Sequence, residues 1–124
     1  MLFVAPKQTQ AQSPGERGYW KAHIKAQINT LIQSDLPGLR ERGMELIIEL
    51  QHDETVSHRF GDLRPQLYAI FFDSRNADEQ RILALSALFA TDSVKTSQTL
   101  ATWAEEETSP RVRRHVRLAL LQQG

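Results

Sequence analysis

Three times along this chain the same short pattern returns: a neutral residue and an arginine, a small or short side chain three positions on, and an apolar pair closing the next turn. It reads Leu39-Arg40, Gly43 and Leu46-Ile47; then Gln80-Arg81, Ala84 and Ala87-Leu88; then Val112-Arg113, Val116 and Ala119-Leu120. The offsets within each copy are identical, and the arginines stand 41 and then 32 residues apart. Offsets of three and four mark one face of a helix. A face repeated at intervals of this size marks helices packed against similar neighbours, the arrangement of a helical-repeat array. The pattern therefore speaks to architecture, and it comes with no cluster of catalytic side chains.

The rest of the chain fits that expectation. Residues 1–16 are rich in Gln, Pro, Ser and Gly without periodicity and read as a tail ahead of a helical domain over 17–124. Apolar spacing predicts a first helix over 18–33, with Trp20, Ile24, Ile28, Leu31 and Ile32 on one face. Pro37 suits the first turn of a second helix running to 51, which would bury Leu39, Gly43, Leu46, Ile47 and Leu50. A polar loop over 52–59 leads to a third helix over 60–73, with Phe60, Leu63, Leu67, Ile70 and Phe71 inward and Pro65 in or near its first turn. Asn76 and Glu79 have the spacing of a capping box for a fourth helix carrying Leu83, Ala84, Ala87 and Leu88. Asp92 or Ser93 would cap a fifth, holding Val94, Leu100, Ala101 and Ala104 with Trp103 beside them, and Ser109-Pro110 opens the last. Six helices in three hairpins and no strand make an all-α chain. A single hairpin cannot bury its apolar face alone, whereas a stack of about three can.

With those residues in place, the chain resembles the HEAT repeats, and more loosely the armadillo type. The last hairpin carries the resemblance best, in Ser109-Pro110-Arg111-Val112-Arg113, Val116 and Ala119-Leu120; Pro37, Leu39-Arg40, Gly43 and Leu46-Ile47 repeat it. The middle copy departs from the pattern, with Gln80 where an aliphatic side chain is usual and no proline before it. The resemblance covers residues 18–124 and implies a short α-solenoid (an α-α superhelix), a right-handed stack of three hairpins. It also implies that Arg40, Arg81 and Arg113 form a ladder pairing with acidic or backbone groups of adjacent repeats. It carries no catalytic residues, because such repeats host scaffolds, adaptors, transport factors and a few enzymes.

No cysteine is present, which removes disulfides, thiolate metal sites and thiol nucleophiles. None of His23, His52, His58 and His115 pairs with another at the spacing of two ligands on one helix face, though His52, Asp53, Glu54 and His58 share a loop. Neither a nucleophile elbow nor a glycine-rich phosphate loop occurs, so no cofactor, metal or catalytic residue is expected. Fifteen basic and fifteen acidic side chains cancel, so no global field favours nucleic acid. No apolar run is long enough to span a membrane.

The acidic run Glu105-Glu106-Glu107, expected at the end of the fifth helix where the macrodipole disfavours it, precedes Arg111, Arg113, Arg114 and Arg117. Mutual neutralisation is the simpler account, and a stripe for phosphate or an acidic peptide is the sharper one. On the last helix Leu118 and Leu121 lie off the main apolar stripe. Either Leu121 packs inward and Leu118 alone is partly exposed, or the pair makes an end-on contact with a partner or a second copy. The function expected is non-catalytic binding of another protein, through the groove of the second helices or the end of the stack. Tyr68, Phe72, Arg111, Arg113, Arg114 and Arg117 are the candidate contacts, and a homodimer through Leu118 and Leu121 is a second form of the same idea. Nucleic-acid or phosphate binding by the basic last helix is the alternative. The first residues, Met-Leu-Phe-Val-Ala-Pro, read as a tail, the stub of a truncated signal peptide or a docking arm, so the compartment is cytoplasmic or, with an upstream signal, an exported one.

Overall fold

The computed structural model describes residues 14–51 and 57–123. Within them the chain is all-helical: α1 (Pro14–Ile32), α2 (Pro37–Leu50), a 3-10 segment (Ser57–Leu63), α3 (Arg64–Phe72), α4 (Asp78–Thr91), α5 (Ser93–Ala101), a short 3-10 turn (Ala104–Glu106) and α6 (Pro110–Gln123). The readings of residues 1–13 and 52–56, and of the Trp20 and His58 side chains, lie outside the described residues, while 57–59, expected in the polar loop, open the 3-10 segment. α1 opens at Pro14, four residues before Gly18, so residues 14–16 belong to the helix rather than to a tail; proline suits a first turn because its missing N–H has no partner there anyway.

The prolines and caps set the boundaries. Pro37, Pro65 and Pro110 stand in the first turns of α2, α3 and α6. Pro65 has no N–H to bond Gly61 O and its ring crowds that carbonyl, and the residues ahead of α3 form the 3-10 segment instead of the continuous third helix expected over 60–73. Phe60 and Leu63 are buried from that segment all the same. The Asp92 side chain accepts from Lys95 N at 3.0 Å to cap α5, and the Ser109 hydroxyl accepts from Val112 N at 3.2 Å to cap α6. Asn76 is not the cap of α4, whose N-cap is Ala77. Its side-chain amide donates to Ile70 O at 2.9 Å and its N–H to Asp73 O at 3.0 Å, so it is spent on the α3–α4 turn.

α1 packs on α2, α3 on α4, and α5 on both α4 and α6, while α4 lies between α2 and α6 and touches both. The core between them gathers Ile28, Ile32, Met44, Ile47, Phe60, Leu67, Phe71, Leu88, Leu100, Val112 and Val116, all 1% exposed or less. The small position of the repeat earns its place at Gly43, where a Cβ would lie 2.7 Å from Ile32 Cγ2 and 2.9 Å from Leu31 Cβ; α1 and α2 cross too closely for a side chain there. Three expected core residues are exposed: Leu39 in the first turn of α2, Val94 in the first turn of α5 and Ala101 at the end of α5. Trp103 joins the interior, edge-on to Phe71 and Phe72.

Candidate interaction groove

The second helix of each hairpin contributes to one face. Between the C-terminal halves of α2, α4 and α6 opens a cavity of about 500 Å³, lined by Ile48 of α2, Ile82, Leu85 and Phe89 of α4, and Leu118 and Ala119 of α6, with Ser86 and His115 among its polar groups. Ile82, Ser86 and His115 also line a shallower cavity of about 250 Å³ that carries the groove to Glu41, Glu79 and Arg111. Residues 111, 115, 118 and 122 follow successive turns of α6, so a single strip of that helix forms the wall.

At the opposite end α4 and α6 are latched together. Ser109 Oγ bonds Asp78 at 3.0 Å, Arg111 bonds Glu79 at 2.8 Å, and Arg81 closes on Glu107. That last pair is buried on both sides, each side chain 3% exposed. Arg81 Nη1 and Nη2 meet the two carboxylate oxygens at 2.9 and 2.5 Å, and Nε donates to Phe71 O at 2.7 Å. Glu107 also accepts from Ser109 N at 2.9 Å. Burial by itself would raise the Glu107 carboxyl pKa; the hydrogen bonds from Arg81 and Ser109 and the charges of Arg81 and Arg113 outweigh it and hold the carboxyl below its usual value.

The repeated arginines divide three ways. Arg40, half-buried, reaches Asn76 and Gln80 at 3.4 Å, and the Gln80 amide returns to Pro37 O and Glu41, which is how a buried glutamine is satisfied where an aliphatic residue was expected. Arg81 is locked, and Arg113 donates to Glu107 O at 3.3 Å. Glu105-Glu106-Glu107 is not the end of α5, which stops at Ala101; the chain turns through Trp103, seated on Phe71 and Phe72, and the carboxylates fall on and after the 3-10 turn. Arg117 grips Glu105 through two bonds and lowers its carboxyl pKa. Of the expected mutual neutralisation, Arg117–Glu105 is the one ion pair among the described residues; Glu107 goes to Arg81, Arg111 to Glu79 and Arg113 to a backbone carbonyl, whereas exposed Arg114 makes no hydrogen bond or ion pair among them.

Tyr68 and Phe72 stand elsewhere, on α3. Their rings stack at 5.6 Å, the Tyr68 hydroxyl accepts from Arg64 at 3.0 Å, and Phe72 lies edge-on to Trp103. They border neither cavity of the groove, so the fold does not bring them together with the arginines of α6. Leu118 and Leu121 also part company. Leu118, 50% exposed, edges the groove, while Leu121, 75% exposed and so not packed inward, borders a separate hollow with Ala101, Ala104 and Leu120. Ile48, Ile82 and Phe89, which form much of the apolar lining, were not singled out from sequence. A signal existed: Ile48 and Phe89 each directly follow the apolar pair of their repeat copy, one residue more than the core stripe needs.

Among the described residues no three His, Asp or Glu side chains are placed to hold a metal ion, and no helix is long and apolar enough to cross a membrane. Compared with known proteins, the chain matches no family model, no curated protein and no solved structure.

Proposed function

We propose that this chain is a non-catalytic protein–protein interaction module, a short α-solenoid resembling HEAT repeats that binds its partner along α2, α4 and α6. The observation that carries this reading is the cavity of about 500 Å³ left between three second helices, where Ile48, Ile82, Phe89 and the exposed Leu118 stand among Gln51, Ser86, His115 and Gln122. A packed helix face normally closes on its neighbours, and a concavity that leaves apolar side chains open to solvent among a few polar groups is the usual form of a binding surface. The regular succession of α2, α4 and α6 supports the solenoid, since the same repeat register presents each helix to the next.

The alternative, phosphate or nucleic acid on the basic helix, asks Arg111, Arg113 and Arg117 to leave partners they already hold. The two readings separate in a pull-down from native lysate with and without nuclease, run beside Leu118→Asp and Arg114→Glu. A protein retained despite nuclease and lost with Leu118→Asp supports the groove. Partners lost on nuclease treatment, or insensitive to Leu118→Asp, overturn it.

A further inference from the structure

We propose that the groove takes an amphipathic helix with an acidic flank, its apolar side chains over Phe89 and Leu118 and its carboxylates facing Arg114 and His115. The inference rests on the groove being a protein-binding surface and adds the chemistry of what fills it.

Form comes first. The walls and floor are helix side chains, so no strand edge is offered to an extended peptide among the described residues. The strip from Arg111 to Gln122 spans about 16 Å, three turns of an occupying helix at about 1.5 Å per residue. The cavity, about 500 Å³, lies within the range of about 300–1,000 Å³ typical of ligand pockets and has room for large apolar side chains.

Charge then selects the flank. α6 carries four arginines and a histidine and no acid. Carboxylates and a carbonyl from within the chain engage three of those arginines, which leaves Arg114, one turn before Leu118, unpartnered among the described residues. The α2 side presents a carboxylate to the groove, Glu41, whereas Glu45 one turn on pairs with Arg42. A polyanion such as a nucleic acid would meet Glu41 and Glu79 as well as the arginines. A helix acidic on one flank alone meets only its complement.

Two stapled peptides of about 14 residues, helical in water and long enough for the groove, test this on the full chain by fluorescence anisotropy. They share one apolar face and differ only in Glu or Lys on the flank; a single-stranded oligonucleotide is the third probe. The Glu peptide should bind about tenfold tighter than the Lys peptide at low salt, with Arg114→Glu erasing that preference and Leu118→Asp abolishing binding. Both side chains are exposed, and circular dichroism checks that the variants fold. If both peptides bind equally and both are lost with Leu118→Asp, the groove stands and its acidic partner does not. If Leu118→Asp leaves binding unchanged, if neither peptide binds, or if only the oligonucleotide does, the groove reading falls with it.

Discussion

Replacing Glu107 by Gln changes one atom and should cost far more than its size suggests. Oε2 accepts from both Arg81 Nη1 and Ser109 N, and Oε1 accepts from Arg81 Nη2 at 2.5 Å. If the glutamine oxygen takes the Oε2 place, its NH2 faces Nη2 donor to donor; flipped, it loses two bonds. Either way the guanidinium, 3% exposed, is left without its counter-charge. Breaking one side of a buried pair costs about 3–5 kcal/mol, which for a domain of this size lowers Tm by roughly 10–20 °C. Urea and thermal unfolding followed by circular dichroism give the figure. Changing both partners, Arg81→Met with Glu107→Leu, should recover much of the loss, leaving chiefly the cost of Phe71 O without its donor, about 1–3 kcal/mol. The acid dependence provides a second check. Because the folded carboxyl titrates below its usual value, its stabilisation is complete above the usual carboxylate range and fades as pH falls through the folded value. The gap between wild type and Glu107→Gln should close in that direction. A cost below about 1 kcal/mol for Glu107→Gln would mean that water reaches the guanidinium and the pair behaves as an exposed salt bridge, refuting the reasoning.

Gly43→Ala should destabilise by about 1–2 kcal/mol in the same urea titration, because overpacking against Ile32 Cγ2 and Leu31 Cβ outweighs the gain in helix propensity. Asp73, whose carboxyl is held at about 2 chiefly by the Arg75 side chain, should show an NMR titration midpoint near there and move back toward the ordinary range in Arg75→Ala.

What could be read from the sequence was whatever rests on periodicity and local rules. Helical spacing located all six helices, and proline and cap chemistry placed the starts of α2, α5 and α6 at or within a residue of where they lie. Failures came where a residue had a distant competitor for its polar atoms or no neighbour for its apolar ones. Asn76 had the spacing of a cap, but Ile70 O and Arg40 lay within reach of its side chain. Leu39 had the register of a core residue but lies exposed in the first turn of α2. Glu107 read as one of three carboxylates neutralised by the arginines after it, and only the turn through Trp103 carries it instead to Arg81, 26 positions back. The groove was legible as a place but not as a set of residues, because Ile48, Ile82 and Phe89 come together only through the pairing of helices far apart in sequence.

The two joints between successive hairpins differ in their stiffness. At α2–α4 the polar contacts are half-buried and long, 3.3–3.4 Å through Arg40 and Gln80, over aliphatic surface whose attraction has no preferred direction. At α4–α6 a planar, bidentate, buried guanidinium–carboxylate pair fixes both distance and angle. The groove therefore has one wall tied by a directional ion pair and one held by packing and longer polar contacts. If the proposed helix binds there, adjustment to its width would fall to α2, while α6, with Arg114 and Leu118, would hold its position like the fixed jaw of a vice.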